Sequence, residues 1–111
     1  MRHFVFILTV FSFLLCACEE SSPLFGTWAD NRGNTFSFFS DGTFNARIQS
    51  AGVSKNYEGN YSILFNSMTL DCTNEDLRVV TEWDIRGNML YLDWTNEEGI
   101  VFAITLYKVS D

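Results

Sequence analysis

From residue 26 onward, apolar and polar residues alternate along most of the chain, and turn-forming residues interrupt the alternation at short intervals. A period of two is typical of strands that have one face on a core and the other in solvent. We find no convincing helical period in this region. The pattern predicts eight strands, at approximately 26–30, 34–39, 43–50, 56–65, 68–73, 77–86, 89–95 and 99–109.

Short turns join these predicted strands, and their residues indicate how neighbouring strands align. Two-residue turns that begin with glycine and three-residue loops with a left-handed glycine are both common in hairpins. The inward residues of paired strands must also face one another, which tests each alignment. The predicted pairs are Trp83 with Leu92 across Gly87-Asn88, Phe38 with Phe44 across 40–42, Ile63 with Leu70 across Asn66-Ser67, and Leu92 with Phe102 across 96–98.

The order of these hairpins predicts the fold class. Each strand neighbours the next, so the simplest closure is a small antiparallel eight-stranded up-and-down barrel, which leaves no exposed strand edge. This all-β domain would occupy residues 24–111. We expect Gly59 to form a bulge in the fourth strand.

The predicted barrel interior is rich in aromatic residues. An eight-stranded barrel has room for its own side chains or for one small ligand. Both alternatives stay open, because Ala46, Cys72 and Thr81 are small inward residues that leave space for a modest apolar ligand. The predicted interior includes Trp28, Phe36, Phe38, Phe44, Ile48, Tyr61, Phe65, Trp83, Leu92, Trp94, Phe102 and Leu106. The candidate ligand contacts among them are Trp28, Phe44, Tyr61, Trp83, Trp94 and Phe102.

The first residues of the chain have a different character. Met1-Arg2-His3 is a short positive start, and residues 4–17 are apolar apart from Thr9 and Ser12. This run is shorter than the roughly 20 apolar residues that a membrane-spanning helix needs, and it has the length and flanks of a secretory signal peptide. We interpret residues 1–17 as a cleaved signal and residues 18–23 as a polar tether.

The segment Leu15-Cys16-Ala17-Cys18 resembles the lipobox of bacterial lipoproteins. The resemblance implies cleavage before Cys18, a diacylglyceryl group on its thiol and usually an acyl chain, such as palmitate, on its new amine. Cys16 would leave with the signal. Two acyl chains suffice for stable anchoring, so the resemblance implies a membrane-anchored lipoprotein of the bacterial cell envelope, facing the periplasm or the cell surface.

A second resemblance covers residues 25–107. Gly26-Thr27-Trp28 resembles the G-x-W of the first lipocalin strand, and the stretches FSFFSDGTF, EGNYSI, SMTL and IRGNMLYLDW are similar to small lipocalin-like domains of bacterial lipoproteins. This resemblance implies the same barrel. The arginine that caps the tryptophan in lipocalins is missing here, and Lys108 is the candidate to take its place.

Composition narrows the chemistry that the mature chain offers. Cleavage leaves six basic residues against fourteen acidic ones, a net charge of −8, which disfavours nucleic acid and would favour a basic partner. His3, the only histidine, leaves with the signal, so no imidazole remains as a base or metal ligand. Cys72 is expected to be a buried small hydrophobe. We therefore expect no enzymatic activity, no cofactor and no metal site.

The topology places one end of the barrel away from the tether. We call this end the distal rim; it comprises the longer connections, around 30–34, 51–55, 73–76 and 96–99. Arg32 and Lys55 partly balance its acidic residues. The carboxylates predicted to form a working surface there are Asp30, Glu75, Asp76, Glu97 and Glu98.

Two outer surfaces are further candidates for a functional role. Glu82 and Asp93 should lie opposite each other with Asp84 nearby, a pairing that suits acid–base work or Ca²⁺ but is more typical of a solvated face. An apolar patch on the last two strands is a candidate contact for a partner, a membrane or a second copy in a homodimer. Its residues are Met89, Tyr91, Val101, Ala103, Tyr107 and Val109.

These features favour a non-catalytic, lipid-anchored envelope protein that binds a small apolar ligand or a protein through the distal rim. One alternative is an inhibitor of a secreted basic enzyme such as lysozyme, because residues 49–59 are similar to the inhibitory loop of membrane-bound lysozyme inhibitors. A purely structural surface lipoprotein is another alternative.

Overall fold

A computed structural model describes residues 22–111 of the chain. The predicted signal peptide and Cys18 lie outside these residues. Alternation of apolar and polar side chains produces strands throughout the described range, with no helix among them. The strands are Gly26–Ala29 (β1), Thr35–Phe38 (β2), Thr43–Ser50 (β3), Val53–Leu64 (β4), Ser67–Cys72 (β5), Leu77–Arg86 (β6), Met89–Thr95 (β7) and Val101–Ser110 (β8).

Each strand pairs antiparallel with the next, and β8 pairs with β1 to close the barrel. The predicted fold class is therefore confirmed: an all-β, antiparallel, eight-stranded up-and-down barrel. Closure gives the backbone of every strand two neighbours, so the wall has no free edge.

Two hairpins have the predicted register. Trp83 pairs with Leu92 across the turn at residues 87–88. Phe38 pairs with Phe44, and Gly42 has a φ of 87° in the loop between them. Gly87 begins the first of these turns, and Gly42 has a left-handed conformation in the second. These two glycines are sufficient to align the strands.

The β4–β5 hairpin differs from its predicted register by two residues. Ile63 pairs with Met68 rather than with Leu70, because the turn is formed by residues 65–66. This turn lets the carbonyl of Asn66 accept the backbone N–H of Trp83 at 3.0 Å, which joins the tip to β6. Phe65 was predicted to face the interior; it is instead a turn residue with 88% of its surface exposed.

The β7–β8 hairpin is also shifted by two residues. Leu92 pairs with Ile104 rather than with Phe102, and the loop consists of residues 97–99. The physical reason is the side chain of Asn96, whose Oδ1 accepts the backbone N–H groups of Glu98 and Ile100 at 2.9 and 3.0 Å. A shift of two keeps the same faces inward, so the predicted faces remain correct.

The predicted bulge at Gly59 is wrong. The register of β4 runs without interruption against both β3 and β5. Glycine is needed for another reason: a Cβ at this position would overlap the backbone carbonyl oxygen of Asp71. The residue marks a close approach between neighbouring strands, which is the other common role of glycine in a strand.

The barrel interior is filled by side chains. A column of ring contacts runs from Tyr61 through Phe38, Phe36 and Trp94 to Tyr57, with centroid separations of 5.1, 5.9, 5.8 and 4.9 Å. Aliphatic residues of β5–β8 pack around this column. Of the predicted interior residues, Trp28, Phe36, Phe38, Phe44, Ile48, Leu92, Trp94 and Leu106 are buried, and Tyr61, Trp83 and Phe102 are partly buried.

Lys108 packs against Trp28 at the end of the interior where the chain enters β1. Its Nζ lies 4.7 Å from the centroid of the Trp28 ring, so the predicted contact of Lys108 with Trp28 is confirmed. The same ammonium donates to the carbonyl of Pro23 at 3.0 Å and to that of Phe25. The Trp28 indole N–H in turn donates to the carbonyl of Leu24 at 2.9 Å. The entry of the chain is thus fixed against β1 and β8.

Candidate functional site

The antiparallel order separates the two ends of the barrel. Connections at 39–42, 65–66 and 87–88 lie at the end where β1 begins, and those at 30–34, 51–52, 73–76 and 96–100 lie at the opposite end. The opposite end is the distal rim, and it carries all five of the predicted carboxylates. Segments far apart in the sequence therefore present their acidic side chains on one end of the molecule.

Lys55 links two of these connections to the start of β4. It lies near the start of β4, and its Nζ is 2.8 Å from Oε1 of Glu75 in the β5–β6 connection. It also contacts Oε2 of Glu97 in the β7–β8 loop. The Tyr57 hydroxyl, at the top of the interior column, donates to the other oxygen of Glu97 at 2.9 Å. We call these four residues the Lys55 cluster.

The Lys55 cluster shifts the protonation equilibria of its members. Hydrogen bonding from Lys55 lowers the pKa of Glu97 below its usual value. Hydrogen bonds to Glu75 and Glu97 raise the pKa of Lys55. Burial, and then the bond to Glu97, raises the pKa of Tyr57 to about 12. All of these shifts favour the charged pair and a neutral phenol at neutral pH, so the cluster is a fixed ionic contact rather than a proton-transfer relay.

The other rim carboxylates have different roles. Oδ1 of Asp30 accepts the backbone N–H groups of Arg32 and Asn34, each at 2.9 Å, and its Oδ2 accepts the Asn34 amide at 2.8 Å. Asp30 is therefore a turn-forming residue within the connection predicted at 30–34. Asp76 and Glu98 are exposed, and no ion pair within residues 22–111 involves either of them.

A groove of about 420 Å³ lies on the outer wall between β6 and β7. The backbone pairing of β6 with β7 runs from the Arg86–Met89 pair to the Trp83–Leu92 pair and stops there. Beyond it, the backbone N–H of Asp93 donates to the hydroxyl of Thr81 at 2.9 Å. We call this gap the β6–β7 seam. Glu82 and Asp93 both line it but do not form the predicted ladder pair, because the Thr81 hydroxyl replaces the backbone acceptor.

The third predicted carboxylate of this face, Asp84, also lines the seam and is paired with Arg86 at 2.9 Å. Arg78, the other flanking cation, is 3.4 Å from Asp71 instead. No group of three histidine, cysteine or acidic side chains in the described part of the chain is arranged to hold a metal ion. The seam therefore presents solvated carboxylates on a grooved wall.

Two indole N–H groups within residues 22–111 are buried without a hydrogen-bond partner, those of Trp83 and Trp94. Trp94 is completely buried in the aromatic column, and Trp83 lines the seam. A buried donor without an acceptor costs about 1–3 kcal/mol. An acceptor atom placed next to either indole N–H would therefore form a hydrogen bond that the N–H otherwise lacks.

The predicted apolar patch lies on the outer face of β7 and β8. Val101 and Tyr107 are exposed, and Arg86 lies over the ring of Tyr91 at 5.6 Å. Met89 pairs with Tyr107 across the ladder, which places the two side chains next to each other. Ala103 pairs with the charged Asp93, so the patch is divided into two smaller areas rather than one continuous surface.

Cys72 is buried, as the sequence predicted, and it is free. Burial raises the pKa of its thiol to about 12. A neutral, buried thiol is a poor nucleophile, so Cys72 contributes packing rather than chemistry.

Tyr57 was not predicted as a rim residue, although it has the inward parity of Tyr61 on the same strand. The seam was not predicted either, because no residue pattern marks the place where a backbone ladder ends. A third omission is the tip of the β4–β5 hairpin, where Leu64 and Phe65 are exposed. The signal for it was present as the uncharged stretch GNYSILFNSMTL.

Comparisons with known proteins add no relative. No protein-family model matches the chain, and neither the curated proteins nor the solved structures give a significant match. Residues 22–111 contain no helix that is long and apolar enough to cross a membrane. The resemblances to lipoproteins and to lipocalin-like domains therefore stay predictions from sequence motifs.

Proposed function

We propose that this protein is a non-catalytic lipoprotein of the bacterial cell envelope, anchored through Cys18, that binds a basic protein partner through its distal rim. The observation that carries this proposal is the Lys55 cluster, which holds acidic residues from two connections, Glu75 and Glu97, together at the start of β4. A rigid acidic surface loses little conformational entropy on binding, and it attracts basic partners over long range.

The packing of the interior favours the rim over the barrel cavity as the binding surface. The aromatic column and the aliphatic residues packed around it form one buried core inside the barrel. The free carboxylates of Asp76 and Glu98, in contrast, are exposed beside the cluster. A partner could pair with them without displacing an existing contact.

The rim is tested by charge reversal that leaves the Lys55 cluster intact. In pull-downs from envelope extracts, we expect Asp76→Lys with Glu98→Lys to abolish capture of the basic proteins that the wild type retains. The matched control is Glu82→Lys with Asp93→Lys, which makes the same charge change at exposed positions on the side of the barrel. Equal capture by wild type and rim variant would contradict the proposal.

The same variants test the alternative that the protein inhibits a lysozyme. A C-type lysozyme is a secreted basic enzyme, so its activity can be assayed directly with the purified protein. If the wild type and the side-wall control inhibit lysozyme and the rim variant does not, the partner is an enzyme of this class. Absence of inhibition would leave a different basic protein as the partner.

The lipid anchor is tested by counting thiols in the protein purified from bacterial membranes. Processing and acylation at Cys18 should leave Cys72 as the only free thiol, so the native protein should react with a thiol reagent very slowly. After denaturation we expect one reactive thiol per chain, and three would contradict cleavage and acylation. Mass spectrometry of the same sample measures the acyl chains directly.

A second candidate function, binding of a small amphipathic ligand, is favoured by the two unpartnered indoles. A ligand that entered at the seam and carried an acceptor atom would satisfy the Trp83 N–H. Native mass spectrometry of the protein purified from its own cells would detect such a ligand. A long-chain fatty acid titrated into the protein should then change the tryptophan fluorescence, and a Trp83→Phe variant should lose that change.

A further inference from the structure

The tip of the β4–β5 hairpin exposes large apolar side chains. Phe65 is 88% exposed and Leu64 is 70% exposed, and Ile63 beside them is also exposed. Residues 59–70, which form the two arms and the turn, contain no charged side chain. Uncharged, exposed aromatic and aliphatic residues at one turn are unusual on a protein with a large net charge, and such patches mark interaction sites.

The tip projects from the end of the barrel where the chain enters. The Tyr61 N–H donates to the carbonyl of Gly42 at 2.9 Å, and its hydroxyl donates to the carbonyl of Phe39 at 2.9 Å. Tyr61 is therefore level with the β2–β3 turn. The remaining residues of the hairpin, 62–66, extend past that turn, which also carries the exposed side chain of Phe39.

The chain upstream of the described residues leads to the same end. Leu24 is buried and Pro23 is held by Lys108, so the path of the chain into β1 is fixed. Only residues 19–23 separate Cys18 from this point, and five extended residues span at most about 18 Å. If Cys18 is acylated, a lipid surface lies within about 18 Å of the chain entry, at the same end of the barrel from which the tip projects.

From this placement we propose that the β4–β5 tip, with Phe65 and Leu64 as its anchors, inserts into the lipid bilayer that holds the Cys18 acyl chains. This inference rests on the anchoring part of the proposed function. The absence of charge in residues 59–70 suits hydrocarbon and the interfacial region, where an aromatic ring is favourable. The barrel would then stand on two contacts with its distal rim directed away from the membrane.

The experiment uses the full chain, produced in a bacterium and reconstituted into phosphatidylcholine vesicles. An environment-sensitive fluorophore is attached to Asn66→Cys, at the tip, or to Asn31→Cys, an exposed position on the distal rim. Cys72 is buried and does not compete for the label. We expect a nitroxide-bearing lipid to quench most of the emission at position 66 and none of it at position 31.

A pair of substitutions separates insertion from mere proximity. Leu64→Ser with Phe65→Ser should abolish quenching at position 66 while the protein remains bound to the vesicles through its acyl chains. The control, Val80→Ser, changes another exposed apolar residue, on the side of the barrel, and should leave quenching unchanged.

The outcomes distinguish the two proposals. Protein that does not float with the vesicles would overturn the anchoring through Cys18. Protein that floats but is not quenched at position 66 would overturn tip insertion alone. Quenching at position 66 that appears only after the protein is diluted in the vesicles would assign the tip to contact with a second copy of the chain at higher density, and would likewise overturn the proposal.

Discussion

Lys108 shows how much of the local structure can depend on one side chain. It lies over the Trp28 ring, it donates to the carbonyls of Pro23 and Phe25, and it belongs to the last strand. It therefore ties the entry of the chain to β8 across the line where the barrel closes. The sequence indicated the residue but not its two carbonyl partners, because those depend on the path of the chain before β1.

Replacement of Lys108 by methionine should destabilise the barrel by about 1–2 kcal/mol, the range expected for a partly buried cation–π contact with charged hydrogen bonds. Urea unfolding followed by tryptophan fluorescence measures the change. Lys108→Arg keeps the charge and the stacking, so it should recover much of the loss. An arginine variant no more stable than the methionine variant would contradict the role given to the cation.

Gly59 is a second position where one residue type is required. Gly59→Ala should cost about 3 kcal/mol, at the upper end of overpacking effects, because the new Cβ meets rigid backbone rather than a movable side chain. Gly52→Ala is the comparison, since a Cβ there meets nothing within 4 Å and the cost comes only from its φ of 78°. The same denaturation experiment should rank Gly59→Ala as clearly the more destabilising of the two.

At the scale of the elements, the alternation of apolar residues determined which face of each strand is buried. It did not determine the register, because a shift of two residues leaves the same side chains inside. The β4–β5 and β7–β8 hairpins were both misaligned by that amount. What decides between such registers is hydrogen bonding of the turn, from the carbonyl of Asn66 in one case and the side chain of Asn96 in the other.

The candidate site was partly predictable for a related reason. Topology alone places the connections 30–34, 73–76 and 96–100 on one end, so the acidic rim followed from the strand order. The Lys55 cluster did not, because side-chain contacts between connections depend on the twist and stagger of the wall. The seam was likewise invisible in the sequence.

The Lys55 cluster links two connections to the start of β4, and its contribution to stability should depend on pH. The pKa of Glu97 is lowered by its bond to Lys55. In the unfolded chain this carboxyl has a pKa of about 4.5, and in the folded protein its pKa is lower. The ionised Glu97 therefore stabilises the fold at pH values above 4.5, and this stabilisation is lost as the pH falls through the pKa of the folded state. We therefore expect Lys55→Met to be less stable than wild type at neutral pH and nearly equal to it in strong acid.

Urea unfolding of both proteins from neutral pH down to pH values well below 4.5 measures this convergence. Arg78→Met is the matched control, because it removes an exposed pair whose atoms are 3.4 Å apart. Such pairs contribute little to stability. A constant difference between wild type and Lys55→Met at all pH values would show that Lys55 acts through packing and not through its charge.

At the scale of the whole molecule, seven of the eight strand pairings join neighbours in the sequence, and only β1 with β8 joins distant ones. Local pairings form with little loss of chain entropy, whereas the closing pair must bring the two ends of the domain together. We expect β1–β8 to form last, and β1 is also one of the two shortest strands.

Pulsed hydrogen exchange during refolding measures this order. Amides of β3–β7 should be protected before those of β1. Protection of β1 at the same time as β3 would indicate a concerted collapse instead. The Lys108→Met variant provides the internal comparison, because it should delay protection of β1 without changing the protection of β5 and β6.

The unequal distribution of charge between the two ends of the barrel also gives the molecule an electric polarity. Five carboxylates and two basic side chains lie on the rim connections and the start of β4, whereas residues 59–70 at the other end are uncharged. Near a bilayer with anionic headgroups, the field would exert a torque that turns the rim outward before any side chain touches lipid. The field decays within about 8 Å at physiological ionic strength, so this alignment acts only on a molecule already kept close to the surface, as a tethered one is.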